Sequence, residues 1–544
     1  MAMRKFQIET YRREVPHGGY VVSVVRDFPF AGMGLMDFQG EPKWSADEWD
    51  WHGDRTLILK TEDDRRSFRH NDTLKASLQL SNFGETLKDA KAHLTITSFH
   101  EPTSSKRPQA LWSSDIDVTN LIAGDVTEVC PISVPLNEFY GDENQQPRLP
   151  QQLALNVTLE SNGQQIAGNS WTVWVTPSPA KHRPVKLHTS VSKELIETLQ
   201  ASASNEAASS TSSASSRGEV HIASRFDVEL LNLLESGEDV LMIPDGERGS
   251  FPLSQHWFLR GGPILHPELA PLDFLLNDLQ HFDLAGPVVP DIQWLSEMRP
   301  LVMLWDNHDI KQVKTHGLVF QTRVGNGRLM VSSLKHHGGT NAAGEWLLHR
   351  WLAELDADWS DVPAMKEQTV KALRGKLTQQ KIDLTDQQWQ FRIDADNKGL
   401  ERDWHKLELP QATEWKPMSI GKHWEGLGYP TLDGWAWYRI TATLPESWKD
   451  QPVYVCVEGA DDHYELYVNG KLMGTAGDIA NKKTAFEERS SYDVSSAIAD
   501  LPIKDGQREI SIVFRVYDWY GAGGLFRPIF LSTTPISAAA EMIR

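Results

Sequence analysis

Hydrophobic positions along the chain change their period from one region to the next. Between residues 67 and 177 they alternate with polar ones. In "DTLKASLQLSN", Leu74, Ala76, Leu78 and Leu80 share a face, and in "AKAHLTITSF" Ala92, Leu94 and Ile96 do the same. "QLALNVTLES" and "SWTVWVTP" continue the alternation until Pro177 and Pro179. Period two broken by polar turns predicts an antiparallel, immunoglobulin-like sandwich over 67–177. From 219 to 356 apolar runs ("EDVLMIPDG", "RPLVMLWDN") alternate with helical stretches. "LVFQTRVGNGRLMVSSL" predicts a hairpin turning at Gly325–Asn326–Gly327. In "NAAGEWLLHRWLAEL", Trp346, Leu347, Trp351 and Leu355 fall on one helical face. With the leading strand "PVKLHTSV", this reads as a flavodoxin-like α/β domain over 178–356. Residues 357–390 are charged and helical, a linker. Strands return over 391–544 in "WYRITATL", "VYVCVEG", "YELYVNGK" and "REISIVFRVYD", with Asn469–Gly470 as a hairpin turn.

Two segments stand apart. Residues 1–66 open on an amphipathic helix with Phe6, Ile8 and Tyr11 among charges, then carry "GYVVSVV", Gly19–Val25. That run is almost wholly apolar, so it predicts a strand buried on both faces, as in a parallel sheet or barrel. One strand and one helix cannot bury a core alone, so the segment reads as the continuation of a larger α/β structure. The Ser/Ala tract 201–218 lacks the apolar content to fold and reads as a disordered insertion.

Composition narrows the function classes. A chain of 544 residues suggests three or four domains. The formal net charge of −20 argues against a nucleic-acid partner and against adsorption to anionic lipid. No apolar run approaches the ~20 residues that span a bilayer, and the first residues carry no signal-peptide core. Cys130 and Cys456 cannot build a disulfide framework or a Cys-based zinc site, and they leave the compartment open. Twenty tryptophans tilt the reading toward carbohydrate, whose pyranose faces stack on flat rings, or toward large β cores. No GxGxxG, P-loop or nucleophile elbow occurs, so no cofactor is assigned. Asp278, His281, Asp283, Asp306, His308, Asp309, His316, His336 and His337 cluster at loop ends, where His and Asp can hold a metal or move protons. None has a ligand spacing such as HExxH, so hydrogen bonding between domains is the preferred reading and no metal is assigned.

The stretch "DGWAWYRITATLP", Asp433–Pro445, is the densest aromatic cluster. On a strand, Tyr438, Ile440, Ala442 and Leu444 share one face, enough for a sandwich core. Trp435, Trp437, Arg439, Thr441 and Thr443 share the other. That second face is turned either to a ligand or to a neighbouring domain.

"GWAWYR", "GADDHYELYVNGKLMGTAG", "YDVSSAI" and "FRVYDWYGAGGLFRPIFL" occur in the order seen in the galactose-binding-like jelly roll of family 2 glycoside hydrolases, the β-galactosidase and β-glucuronidase group, and the region resembles that domain over roughly 130 residues. The opening, through "MDFQGEPKW", resembles the last helix and strand of that group's catalytic (β/α)8 barrel. In the family's best-known members the jelly roll precedes the barrel; here it comes last. The resemblance implies a two-carboxylate glycosidase mechanism. Both catalytic glutamates would then lie before Met1, on a barrel encoded upstream, and no catalytic residue is assigned within the chain. Arg26 and Asp27 would line a pocket of such a barrel, with loop capping as the alternative for Asp27. Sugar contacts would come from Trp424, Tyr429, Trp435, Trp437, Arg439, Asp461, Asp462, His463, Trp519 and Arg527, the last also suited to closing a strand with Pro528. Flat rings stack on sugar faces, and Asp and Arg take hydroxyls. The chain is therefore expected to be the accessory portion of a glycoside hydrolase with an oligo- or polysaccharide partner. A complete non-catalytic carbohydrate-binding protein is the alternative, and an enzyme built on the 219–356 domain ranks last.

Overall fold

The computed structural model describes residues 2–28, 32, 34–44, 50, 52–98, 110–139, 149–206, 217–255, 263–279, 282–290, 296–306, 313–337, 341–406, 414–502, 507–536 and 543. The chain divides into two compact units, Met1–Lys366 with Met542–Arg544, and Glu367–Glu541. Strand outweighs helix, 41% to 19%, so this is a mainly β protein built from several sheets.

In the first unit, Arg55–Thr61, Thr73–Asn82 and Asp125–Pro135 form a three-stranded sheet. It belongs to one core with a five-stranded sheet ordered Ser67–Arg69, Gln164–Thr176, Gln151–Ser161, Leu87–Ser98, Ala110–Leu121. Leu74, Leu78, Leu80, Ala92, Leu94 and Ile96 are buried in that core, on the faces their alternation predicts. The sandwich starts earlier than its pattern suggested: Arg55–Thr61 pairs along Thr73–Asn82 from Arg55↔Asn82 to Thr61↔Ala76.

The second sheet of this unit has seven strands, ordered Ile264–Leu265, Arg299–Asp306, Lys314–Val324, Gly327–Ser332, Asp239–Met242, Val220–Ala223, Val185–Leu187. The last four run parallel, and the first three are added antiparallel. The hairpin turns at Gly325–Asn326, with Val324 opposite Gly327. Helix Ala342–Glu354 is buried on nearly all sides, including Trp346, Leu347 and Trp351. Helix Val228–Ser236 starts at Asp227, which accepts from Leu230 N–H, and stops at Gly237, whose φ of 113° suits glycine.

Residues 19–25 depart from expectation. The Ala2–Glu14 helix forms and buries Ile8. "GYVVSVV" makes no strand, and Val21 is 94% exposed. A run of apolar residues becomes a buried strand only where neighbouring strands pair with it. Among the described residues the local pairing is isolated bridges, Arg26↔Met36 and Met36↔Pro42, both beyond the run.

The second unit is a two-sheet sandwich. A six-stranded antiparallel sheet is ordered Lys416–Met418, Trp389–Ile393, Gly434–Leu444, Arg508–Asp518, His463–Val468, Lys471–Ala476. The other sheet is ordered Lys381–Asp383, Ile529–Ser532, Tyr454–Val457, Ser490–Asp493. Lys381–Asp383, read from sequence as linker, is thus an edge strand paired with Ile529–Ser532. Asn469 and Gly470, at φ 49° and 81°, turn the His463–Val468/Lys471–Ala476 hairpin as the Asn-Gly signal predicts. Among the described residues no helix is long and apolar enough to cross a membrane.

Candidate functional site

The Gly434–Leu444 strand organises the site. Ala436, Tyr438, Ile440, Ala442 and Leu444 point into the core between the sheets. Trp435, Trp437 and Arg439 point to the outer face of the six-stranded sheet. Strand register sets them in rows across that face. Trp435 lies opposite Tyr517, which lies opposite His463. One step along, Arg392, Trp437, Arg515 and Glu465 align.

The Trp437 row is closed by residues 394–406. Trp437 is fully buried with Trp404, Trp415, Tyr467 and Val513. Its Nε1 donates to Asp394 Oδ2 at 2.8 Å. Asp394 also accepts from the backbone N–H groups of Lys398 and Gly399, which curls the loop over the ring. A Cβ at Gly399 would sit 2.5 Å from Trp437 Nε1, so the cover closes only around glycine. Arg439 donates to Lys406 O at 2.6 Å under the same cover. Burial removes Trp437 and Arg439 from the residues that can meet a ligand. Trp424 is removed for another reason: it is wholly buried in the core. Tyr429 packs on Phe391 at 5.0 Å between ring centroids and is half-buried.

The Trp435 row is open. Trp435, Tyr517, His463 and Trp519 are all half-buried, and Tyr520 beside them is 84% exposed. Tyr517 stands 4.8 Å from Trp435, and His463 meets its edge at 6.0 Å. The Arg515 guanidinium lies 3.6 Å over one face of Trp435 and pairs with Glu465 at 3.0 Å. A row of rings with one cation beneath it is a stacking platform with polar edges.

An acidic corner adjoins this row at the end of the sandwich. Asp462 Oδ2 accepts from Trp519 N–H at 3.2 Å, and Asp518 Oδ1 accepts from Tyr520 N–H at 2.9 Å. Asp461 accepts from the Thr484 hydroxyl at 3.3 Å. Burial, with Asp462 as neighbour, pushes Asp461 and Asp518 each up to about 7, so this corner holds a proton near neutrality. Gly523 closes over it: a Cβ there would lie 2.4 Å from the Trp424 ring and 2.6 Å from Asp518 Oδ2.

The remaining sequence candidates serve the scaffold. Arg527 lies 5.4 Å from Phe486 and 5.2 Å from Phe526, in a stack that His423 extends. Arg26 donates to Phe38 O, and Asp27 takes Lys43 at 2.7 Å and Gly34 N–H at 2.7 Å, which draws its carboxyl down. Both hold a local loop. His281, His308 and Asp309 lie outside the described residues. Asp283 accepts from the backbone N–H groups of Arg66 and Ser67 in the other sheet system of its unit. His336 is clamped between Ser332 and Gly344 O, and burial pushes it down to about 4. Among the described residues no group of three His, Cys, Asp or Glu could hold a metal ion. Both cysteines are buried, their thiols pushed up to about 11 by burial.

Sequence reading passed over Tyr517, Arg515 and Asp518. The signal for all three was present in "REISIVFRVYDWY": period two puts Arg515 and Tyr517 on the outer face, and Asp518 on the inner one.

A family model described as "Domain of unknown function (DUF8488)" matches residues 72–177. The chain is 22% identical over 182 residues to a β-galactosidase of Priestia megaterium, covering 27% of this chain and 16% of that one. It is 24% identical over 180 residues to a β-glucuronidase of Canis lupus familiaris, covering 27% and 28%. A β-glucuronidase structure from Ruminococcus gnavus in complex with D-glucuronic acid matches at 15% identity and a TM-score of 0.24, over 28% of this chain and 29% of that one. The chain therefore spans less than a third of the length of these relatives. It is distantly similar in sequence to β-glycosidases over about a quarter of its own length.

Proposed function

We propose that this chain supplies sugar-binding and scaffolding domains to a glycoside hydrolase acting on β-linked carbohydrate. The observation that carries the reading is the open Trp435–Tyr517–His463 row beside an acidic corner, within the region whose sequence blocks resemble a family 2 jelly roll. On this reading Gly434–Leu444 and its neighbours form that jelly roll, residues 67–177 with the preceding Arg55–Thr61 strand form an immunoglobulin-like sandwich, and 178–356 form a flavodoxin-like α/β domain. The catalytic carboxylates belong to a (β/α)8 barrel partner. Sequence similarity to a β-galactosidase and a β-glucuronidase supports the substrate class. Rings stack on the apolar faces of a glycan at Trp435 and Trp519, and Asp461 and His463 take hydroxyls at the edge.

Affinity electrophoresis of the whole chain in gels carrying β-linked polysaccharides tests this. Retardation is expected, and Trp435→Ala with Trp519→Ala is expected to abolish it. Equal mobility in every glycan gel, or retardation untouched by the two substitutions, defeats the reading.

A further inference from the structure

Three Asn–Gly pairs occur in the chain, Asn162–Gly163, Asn326–Gly327 and Asn469–Gly470, and each lies at a hairpin turn. An asparagine followed by glycine can lose its side-chain amide without an enzyme, because glycine has no side chain to shield its nitrogen from the carboxamide. The reaction needs three things. The carboxamide must be free to turn, the glycine N–H must not be held in a hydrogen bond, and the peptide between them must have room to swing out of the turn.

The fold grants these unequally. The Asn469 carboxamide is tied at both ends: Nδ2 donates to Ala497 O at 3.0 Å, and Oδ1 accepts from Ser511 N–H at 2.9 Å. Gly470 is also crowded, since a Cβ there would lie 3.5 Å from Lys406 Cα. At Asn326 the obstacle is the glycine. Gly327 pairs with Val324 in the hairpin, which engages its N–H, and a Cβ there would collide with Leu234 O and Glu238 O. Asn162–Gly163 meets no such obstacle. Both residues are exposed, at φ 52° and 74°, in the turn closed by Ser161↔Gln164. The Asn162 side chain makes no hydrogen bond among the described residues, and the Gly163 N–H donates to no backbone carbonyl there. No atom lies within 4 Å of where a Gly163 Cβ would stand.

We propose that Asn162 is a site of spontaneous deamidation and isoaspartate formation, selected from the three Asn–Gly pairs by its free turn. The Gly163 nitrogen attacks Asn162 Cγ. An N–Cγ bond forms, the Cγ–Nδ2 bond breaks, and ammonia leaves with the proton from the glycine nitrogen. The five-membered imide then takes up one water. Opening at Cγ gives Asp and restores the main chain. Opening at the main-chain carbonyl gives isoaspartate, whose backbone runs through the side chain and is one carbon longer. Nothing is oxidised or reduced. Either product adds a negative charge beside Glu160, at a hairpin tip that points to solvent and away from the buried Leu155, Val157 and Leu159. The modification therefore marks aged molecules without unfolding the sandwich, and it is independent of glycan binding.

Peptide mapping by mass spectrometry after warm incubation of the whole chain at pH 8 tests it. The peptide holding Asn162 is expected to convert to two chromatographically separate acid forms, Asp and isoaspartate. Conversion at Asn326 and Asn469 is expected to be at least about tenfold slower, or about 1.4 kcal/mol in barrier. In denaturant the three sites are expected to react at similar rates, and Asn162→Gln is expected to remove the fast site. An Asn162 that keeps its amide, an Asn326 or Asn469 that reacts as fast, a product holding Asp alone, or the same ranking in the denatured chain each overturns the proposal.

Discussion

Trp435 and Trp437 lie two residues apart on one strand and point to the same side of one sheet, yet their roles are opposite. Trp437 is sealed under residues 394–406 and hydrogen-bonded to Asp394. Trp435 stays half-buried, backed by Arg515 and flanked by Tyr517 and His463. The strand's periodicity chose the face for both. A loop from elsewhere in the chain decided which of them is structure and which is surface.

Removing the buried member has the largest expected effect. Trp437→Ala leaves a cavity under the loop and removes one of the donors to Asp394, which costs about 3–5 kcal/mol. Hydrogen exchange of the Arg508–Asp518 amides in the whole chain measures it, and a loss of less than about 1 kcal/mol would mean that the cover is not a packed element.

The acidic corner gives a smaller, pH-dependent effect. Asp518 has a folded-state pKa raised to about 7 from an ordinary 3.8, so folding favours its protonated form. Stability from this group is full below about pH 4 and is lost as pH rises through about 7. Asp518→Asn keeps an acceptor for Tyr520 N–H and cannot ionise. The variant is expected to match the parent near pH 4 and exceed it by roughly 1–3 kcal/mol at pH 8. Urea titrations at the two pH values read the difference, and a parent that is the more stable at pH 8 contradicts the assigned burial.

The open member has the smallest effect on folding. Trp435→Ala forfeits its contacts with Arg515, Tyr517 and His463, about 1–2 kcal/mol together. In the same amide-exchange measurement it should move the Arg508–Asp518 strand well less than Trp437→Ala does, while glycan retention disappears. A stability loss as large as that of Trp437→Ala would erase the contrast between the two rows.

Much of this was legible in the linear pattern. Alternation at Leu74, Leu78 and Leu80 and at Tyr438, Ile440 and Ala442 predicted the buried faces, because side chains on a strand must alternate. Asn469–Gly470 predicted its turn, because only residues tolerant of positive φ suit it. The same logic failed at Gly19–Val25. Apolar composition states a need for burial, but partner strands must meet it, and Val21 is in solvent. Arg26 and Asp27, which the family resemblance set in a barrel pocket, bind their own loop, and for Asp27 that is the loop-capping alternative. For the candidate site, the sequence named Trp435, Asp461, Asp462, His463 and Trp519, which lie in the open row or its acidic corner. It also named Trp424, Trp437 and Arg439, whose burial depends on chain far away in sequence.

The sequence by itself determined the period of each region, hence its strands, its turns and the face each side chain takes, since these follow from local backbone geometry. Tertiary structure alone decided that residues 394–406 fold over Trp437 and not over Trp435. It also brought Asp518 beside Asp462 and sealed Arg66 inside its unit. Burial, pKa and access are properties of what surrounds a residue, and those surroundings come from segments tens to hundreds of positions apart.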